Sequence, residues 1–339
     1  MQTGIGSYKS KKKWTISTLP NLIFTLLLCI ACWYIGYNYW IGFPVSSNSS
    51  TSLLWNTVCG LFTDKNYTYF AGFTLLFLAA SLLQRFNFHF VIFQGKTILP
   101  FLFFLLLNSI NLDFFPIRPI SIAIFPVFFA VFELFGSYQK PTAAGRMFNM
   151  MFYLCVGSLI WPFLLWFVPV FWIGMYQFRI LNVRTFSASL LGLFTFLLFI
   201  LGWSVWKHDF VVFENIVQCL SDIHIVFYNG SLFTEWLKPV CFFIFMIVLL
   251  FHVSSHESEN SIRTRHFLSF LFMLGFFSFV LSLFYAYAFV DFECVCYLSA
   301  SIIASCSFSG KYGLISLFLY YLIIAVLIIF LLIRLWNIL

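Results

Sequence analysis

The side chains best suited to chemistry in this sequence lie in one short turn between two apolar segments. The turn reads Asn108-Ser-Ile-Asn111-Leu-Asp113-Phe-Phe-Pro116-Ile-Arg118-Pro119. Ionisable groups near membrane depth are costly and commonly mark functional sites. A carboxylate at Asp113 could act as general base or bind a metal-bridged phosphate, and Arg118 could grip phosphate through two hydrogen bonds. The alternative is a structural Asp113–Arg118 pair that fixes a tight turn between helices, and both interpretations stay open.

A second group of polar residues, Lys207-His208-Asp209, follows a long apolar run. Histidine titrates near neutrality and could shuttle protons, whereas anchoring at a membrane interface is the alternative. The pair His252-x-x-x-His256 lies among mixed charges and indicates a hydrated loop, so we predict no metal site and leave any cofactor open. The predicted catalytic residues are Asp113, Asp64, Asp209 and His208, and the predicted substrate-binding residues are Arg118, Asn111 and Trp161.

Several common catalytic patterns are missing from the chain. It contains no H-E-x-x-H, no P-loop and no G-x-S-x-G sequence. No charged residue lies near the middle of a predicted span, where ion-coupled transporters usually place one. These absences argue against an intramembrane zinc protease, an ATPase, a lipase and an ion-driven pump.

The elements that must position these groups are apolar helices. The 339 residues are 62% hydrophobic and only 9% charged, and runs such as 19–43 and 185–206 hold no charge at all. About 20 apolar residues are needed to cross the hydrocarbon core as a helix, and helices satisfy their own backbone in lipid. The sequence therefore predicts an all-α, polytopic transmembrane bundle in a lipid bilayer. The net charge of +7 is scattered over short loops, so we expect no nucleic-acid partner.

We predict about eleven spans, with a single transmembrane domain over residues 1–339. The predicted spans lie near 19–43, 67–84, 98–112, 119–135, 147–160, 162–178, 186–206, 237–252, 267–290, 294–308 and 313–333. At 1.5 Å per residue, the spans 98–112 and 147–160 reach only about 22 Å and about 21 Å, short of the roughly 30 Å hydrocarbon core. Both must stop partway or lie where the barrier is thinned.

The distribution of charge predicts the orientation. With the N-terminus in the cytoplasm, 13 of the 18 Lys and Arg residues fall on the cytoplasmic side, as the positive-inside rule requires. Eight of the 11 acids fall on the outer side, including Asp291 and Glu293. We expect outer-side segments at 44–66 and 207–236, the second containing a helix that lies on the interface, and a cytoplasmic loop at 252–266.

Two stretches carry a resemblance to a known group. The first runs from Phe148-Asn149-Met150-Met151 through Trp161-Pro162 to Arg179, and is followed by Asn182-Val183-Arg184 and Leu191-Gly192. The second is Arg263-x-Arg265 at the start of a long span. With the turn at 111–118, this pattern resembles an uncharacterised family of polytopic integral membrane proteins from Bacteroidota. The resemblance implies a multi-pass protein of the inner membrane of a Gram-negative bacterium.

More remotely, the layout is similar to the GT-C class of glycosyltransferases, which transfer sugars from polyprenyl-phosphate donors at the outer face. The shared features are a short hairpin with Gly157 and Pro162 at its turn, an interfacial helix and acidic outer loops. That class places a catalytic acid soon after its first span, whereas Ile41-Gly42-Phe43-Pro44 has none, and Asp64 comes late. The resemblance implies a polyprenyl-phosphate-linked sugar as partner.

Three hypotheses follow. The chain is a GT-C-like glycosyltransferase or a protein that binds lipid-linked saccharides at the outer face. Alternatively, it is a non-catalytic membrane subunit or assembly factor of a cell-envelope complex, with other membrane subunits as partners. The third hypothesis is a transporter of a lipid-like substrate.

Overall fold

A computed structural model describes most of the chain, and it is helical throughout. The described residues are 19–39, 53–61, 64–90, 98–111, 114, 117–208, 211–223, 244–248, 261–309 and single helical positions between 320 and 332. The helices are α1 (Leu19–Tyr39), α2 (Leu53–Leu61), α3 (Lys65–Phe90), α4 (Leu99–Ile110), α5 (Pro119–Gly136), α6 (Ala144–Ser158), α7 (Val168–Gln177), α8 (Val183–Lys207), α9 (Val211–Ser221), α10 (Ile262–Phe284) and α11 (Phe289–Ser309). Two 3₁₀ turns, Pro162–Phe167 and Ala286–Ala288, precede α7 and α11.

Five of these helices are long and apolar enough to cross a membrane: α3, α5, α8, α10 and α11. The predicted all-α class of a multi-pass membrane protein is confirmed at this level, and the five helices make a lipid bilayer its natural surroundings. The predicted short spans correspond to α4 and α6, whose 12 and 15 residues cannot cross a bilayer alone. The predicted spans at 237–252 and 313–333 fall largely outside the described residues.

Burial decides how the short helix α4 is accommodated. All its residues are buried, because it lies between α1, α3 and α11. Lipid therefore does not reach it, and its length need not match the bilayer. By contrast, α8 exposes most of its surface and packs mainly on α6. Gly192 permits that contact, since a Cβ there would lie 2.6 Å from the backbone oxygen of Phe148.

The predicted loop at 252–266 is wrong at its end, because α10 already begins at Ile262. Ser261 starts the helix early: its hydroxyl accepts the backbone N–H of Thr264 at 3.2 Å, a normal N-cap. The predicted break near 290 is also misplaced. The chain leaves the helix at Tyr285 and resumes at Phe289. Asp291 and Glu293 thus belong to the first turns of α11 rather than to an exposed loop.

The bundle has two chemically different ends. We call the end that carries the 111–118 turn, the start of α11 and the end of α8 the junction end. The opposite end carries the loop between α5 and α6, the start of α8 and the start of α10, and we call it the basic end. The described cations there are Arg85, Lys140, Arg146, Arg179, Arg184, Arg263 and Arg265, and the one described acid is Glu133.

Candidate functional site

The turn between α4 and α5 is built by local backbone bonds. α4 ends at Ile110, and the extended backbone of Asn111 lets its carbonyl accept the N–H of Phe114 at 3.0 Å. Arg118 is extended too, with Pro119 as the first residue of α5. The Arg118 N–H donates to the hydroxyl of Ser121 at 3.2 Å, which fixes the start of α5. This geometry directs the turn towards the first residues of α11.

The side chains of Asn111 and Arg118 bind two acids of α11. The Arg118 guanidinium Nε lies 2.8 Å from Asp291 Oδ1, and the Asn111 amide donates to Glu293 Oε2 at 2.6 Å. The Arg118 and Asp291 side chains are only 15% and 8% exposed. Such charge-assisted bonds in a dry setting are strong, and the loss of one partner leaves a costly buried charge.

Trp161 contacts the residue between those two acids. Its ring centroid is 4.9 Å from that of Phe292, and it is 2% exposed. It lies at the break between α6 and the 3₁₀ turn, where its backbone N–H donates to the Gly157 carbonyl at 3.0 Å. We name the cluster of Asn111, Arg118, Trp161, Asp291, Phe292 and Glu293 the polar junction.

The structure therefore brings together the three predicted substrate-binding residues, but it gives Arg118 a partner that the sequence did not indicate. The predicted Asp113–Arg118 pair stays a prediction, because Asp113 lies outside the described residues. The described partner is Asp291, which was noted only as an outer acid. A signal was present: two acids spaced as Asp-x-Glu open a segment that is otherwise apolar. Buried acids of that kind need partners from elsewhere in the fold.

The other predicted catalytic residues are not part of the junction. Asp64 is exposed ahead of α3, and its backbone carbonyl accepts the N–H of Thr68 at 3.0 Å. His208 is exposed in the left-handed conformation just after α8. Within the described contacts, no hydrogen bond or ion pair joins either side chain to the junction. Asp209 lies outside the described residues.

The end of α8 has the composition of an interface anchor. The Lys207 ammonium lies 5.6 Å from the ring centroids of both Trp203 and Trp206. Both tryptophans are exposed, and aromatic rings beside a cation are enriched where membranes meet water. The geometry favours the anchoring interpretation of this segment over a proton shuttle.

The predicted segment 207–236 contains the helix α9, which is fastened to the junction end by two tyrosines. The Tyr285 hydroxyl donates to the Leu220 carbonyl at 2.7 Å, and the Tyr287 hydroxyl lies 3.1 Å and 3.0 Å from the carbonyls of Cys219 and Asp222. Burial raises the pKa of Tyr287 above its usual range, and Cys219, Asp222 and Tyr285 raise it further. The neutral phenol is therefore the form that holds α9.

Comparison with known proteins finds no matching family model, curated protein or solved structure. The site must be interpreted from its own geometry. Within the described part of the chain, His, Cys, Asp and Glu form no group of three or more suited to a metal ion. The junction's carboxylates are engaged with an Arg and an Asn of the same chain, an arrangement that joins helices.

Proposed function

We propose that this chain is a non-catalytic multi-pass membrane subunit or assembly factor, in which the polar junction is a structural lock. The observation that carries the proposal is the contact of three consecutive residues, Asp291, Phe292 and Glu293, with the 111–118 turn and the Trp161 break. Arg118 and Asn111, two of the predicted substrate-binding residues, are bound to acids of the same chain. A substrate phosphate would have to displace Asp291 from Arg118 at a high desolvation cost.

The lock gives the protein a rigid junction end. α11 is joined to the 111–118 turn by two polar bonds and to the Trp161 break by ring packing. A scaffold needs this rigidity because partner subunits bind with less loss of conformational freedom to a preformed surface. The exposed aromatic and aliphatic side chains of α8 provide a long face for lipid or for a neighbouring helix.

The experiment replaces the ion pair with apolar residues of similar size. Buried pairs exchanged in this way commonly keep or gain stability, so Arg118→Met with Asp291→Leu should fold. The chain is extracted from its native membranes in mild detergent, and the mass of the particle is measured. We expect an assembly larger than one chain, unchanged in the double variant. A wild-type particle of a single chain contradicts a subunit role.

A second candidate is a GT-C-like glycosyltransferase or a protein that binds a polyprenyl-linked saccharide. The observation that favours it is α9, a short amphipathic helix fastened beside the break at Trp161. Asp113 would then supply the catalytic carboxylate, with Asp64 or Asp209 as alternatives. Asp113→Asn distinguishes the two proposals. An enzyme loses activity with a normal amount of folded protein, whereas a scaffold keeps its assembly.

A further inference from the structure

A cavity of about 500 Å³ opens at the basic end, on the side of the molecule opposite the polar junction. It is lined by Phe135, Gly136, Tyr138, Gln139, Lys140, Ile262 and Arg263. Its volume falls within the range of small-molecule sites, which is roughly 300 to 1,000 Å³. The wall comes from the loop after α5 and from the first turn of α10, so two separate parts of the chain form it.

Among the described residues, the charges around this cavity are almost all positive. Lys140 and Arg263 line it, and the Arg146 guanidinium lies so close to Gly136 that a Cβ there would overlap it. Arg146 approaches Glu133 at 3.9 Å, and the described salt bridges give neither Lys140 nor Arg263 an acidic partner. Two or three cations around one cavity attract an anion.

Contacts within the lining also hold its cations and the loop after α5 in place. The Arg263 guanidinium lies 5.1 Å from the ring centroid of Phe267 and 6.0 Å from that of Phe90, so stacking limits its motion. Gln139 takes the left-handed conformation, and its N–H donates to the Phe178 carbonyl at 3.3 Å. Ser261 caps the Thr264 N–H, whereas the N–H groups of Ile262 and Arg263 have no acceptor within α10, which favours an anion there.

We propose that this cavity binds the phosphate of an anionic lipid headgroup. Phosphate fits the donors, because arginine and lysine are its usual ligands. A lipid fits the position, because α5 exposes Phe129 and Phe132 on the turns before the cavity, and acyl chains can cover them. Basic pockets between membrane helices are suited to such headgroups. This inference is independent of whether the polar junction is a lock or a catalytic site.

The test uses the full-length chain in neutral detergent and native mass spectrometry. Phosphatidylglycerol and phosphatidylcholine with the same short acyl chains are titrated separately, and the dissociation constants are compared. We expect phosphatidylglycerol to bind roughly tenfold more tightly. The double variant Lys140→Gln/Arg263→Gln should remove this preference. Both side chains are exposed, so the variant should fold, which its thermal unfolding verifies.

The matched control removes two positive charges from the same end but outside the cavity, as Arg85→Gln/Arg184→Gln. It should keep the preference for phosphatidylglycerol. Equal losses in both double variants would overturn the proposal, because diffuse surface charge would then explain the binding. So would a wild-type chain that does not distinguish the two lipids.

A titration with inorganic phosphate distinguishes a lipid headgroup from a free phosphate ion as the ligand of the cavity. If it binds in a manner that depends on Lys140 and Arg263 while the two lipids bind equally, the cavity takes a free anion and the lipid assignment is wrong. If phosphatidylglycerol alone shows the dependence, the lipid headgroup is the ligand. Lys140→Arg should retain binding in either case, since the positive charge is kept.

Discussion

The two ion pairs of the described chain lie at opposite ends of the bundle, and they differ in every physical respect. Arg118 and Asp291 approach to 2.8 Å with side chains 15% and 8% exposed. Arg146 and Glu133 are 3.9 Å apart with side chains 45% and 18% exposed. The first pair is dry and joins helices 173 residues apart in the chain, whereas the second is hydrated and local.

The protein uses its few charges in two different ways at the two ends of the bundle. In the polar junction, Asp291 and Glu293 are buried and bonded to Arg118 and Asn111, so they act as cross-links between helices. At the basic end, cations remain exposed around a cavity and available to a ligand. Arginine therefore stabilises the fold at one end, as Arg118, and by our inference binds a ligand at the other, as Arg263.

Removing one member of the buried pair is the most direct test of the contrast between the two ends. Arg118→Met leaves the Asp291 carboxylate without its guanidinium, and we expect a loss of about 3–5 kcal/mol in the free energy of unfolding. Thermal unfolding of the purified protein measures the loss. Arg118→Met with Asp291→Leu should recover most of it. If that double variant is as unstable as the single one, the pair is not the source of the stability.

The next largest effect is expected at the second polar bond of the junction. Asn111→Ala removes the donor that lies 2.6 Å from Glu293 Oε2, and we expect a loss of about 1–3 kcal/mol because a buried acceptor loses a partner. Asn149→Ala is the control, since Asn149 is exposed on α6. Its change should stay within about 0.5 kcal/mol. Similar losses at both positions would contradict a special role for the junction.

A smaller effect should accompany the fastening of α9. Tyr287→Phe removes a hydroxyl that bonds two carbonyls, and we expect a loss of about 0.5–1.5 kcal/mol. Hydrogen exchange of the α9 amides reports it, with the exposed Tyr176→Phe as control.

The attachment of α9 should also depend on pH. Because the folded state raises the pKa of Tyr287, its contribution is fully present below the unfolded value of about 10 and is lost as the pH rises through the higher folded value. After correction for the intrinsic rise of the exchange rate with pH, the protection of the α9 amides should therefore fall above about pH 10 in the wild type. In Tyr287→Phe this pH dependence should be weaker, and an unchanged dependence would assign it to another group.

The smallest effect should come from the exposed pair. Arg146→Gln should change the free energy of unfolding by less than about 1 kcal/mol, and added salt should reduce the change further. Thermal unfolding at low and high salt provides the measurement. A loss comparable to that of Arg118→Met would remove the contrast between the two ends.

The sequence predicted the class of the fold well because apolar runs have a direct physical meaning in lipid. It also selected Asn111, Arg118 and Trp161, since polar and proline-marked breaks between apolar runs are visible locally, and their predicted role in binding a substrate stays a prediction. The partners were missed for an equally physical reason. Asn111 and Glu293 are 182 residues apart, and one sequence carries no record of which buried acid faces which donor.

The boundary of α11 was misplaced for a related reason. Charges at 291 and 293 look like a solvated loop when they are read alone. In the fold they are buried and bonded, so they can lie in a helix. The predicted roles of Asp113 and Asp209 stay predictions, because both residues lie outside the described part of the chain.

The short, wholly buried α4 has a consequence for how the protein is made. With 12 residues it extends about 18 Å, too little to enter a bilayer as an independent unit during synthesis. Its neighbour α11 is translated long afterwards. Arg118 and Asn111 therefore lack Asp291 and Glu293 until the residues between α4 and α11 have been synthesised. Chains truncated before Phe289 would keep Arg118 without Asp291, a state that membrane quality control can recognise and degrade. Closure of the polar junction thus requires that synthesis has reached α11.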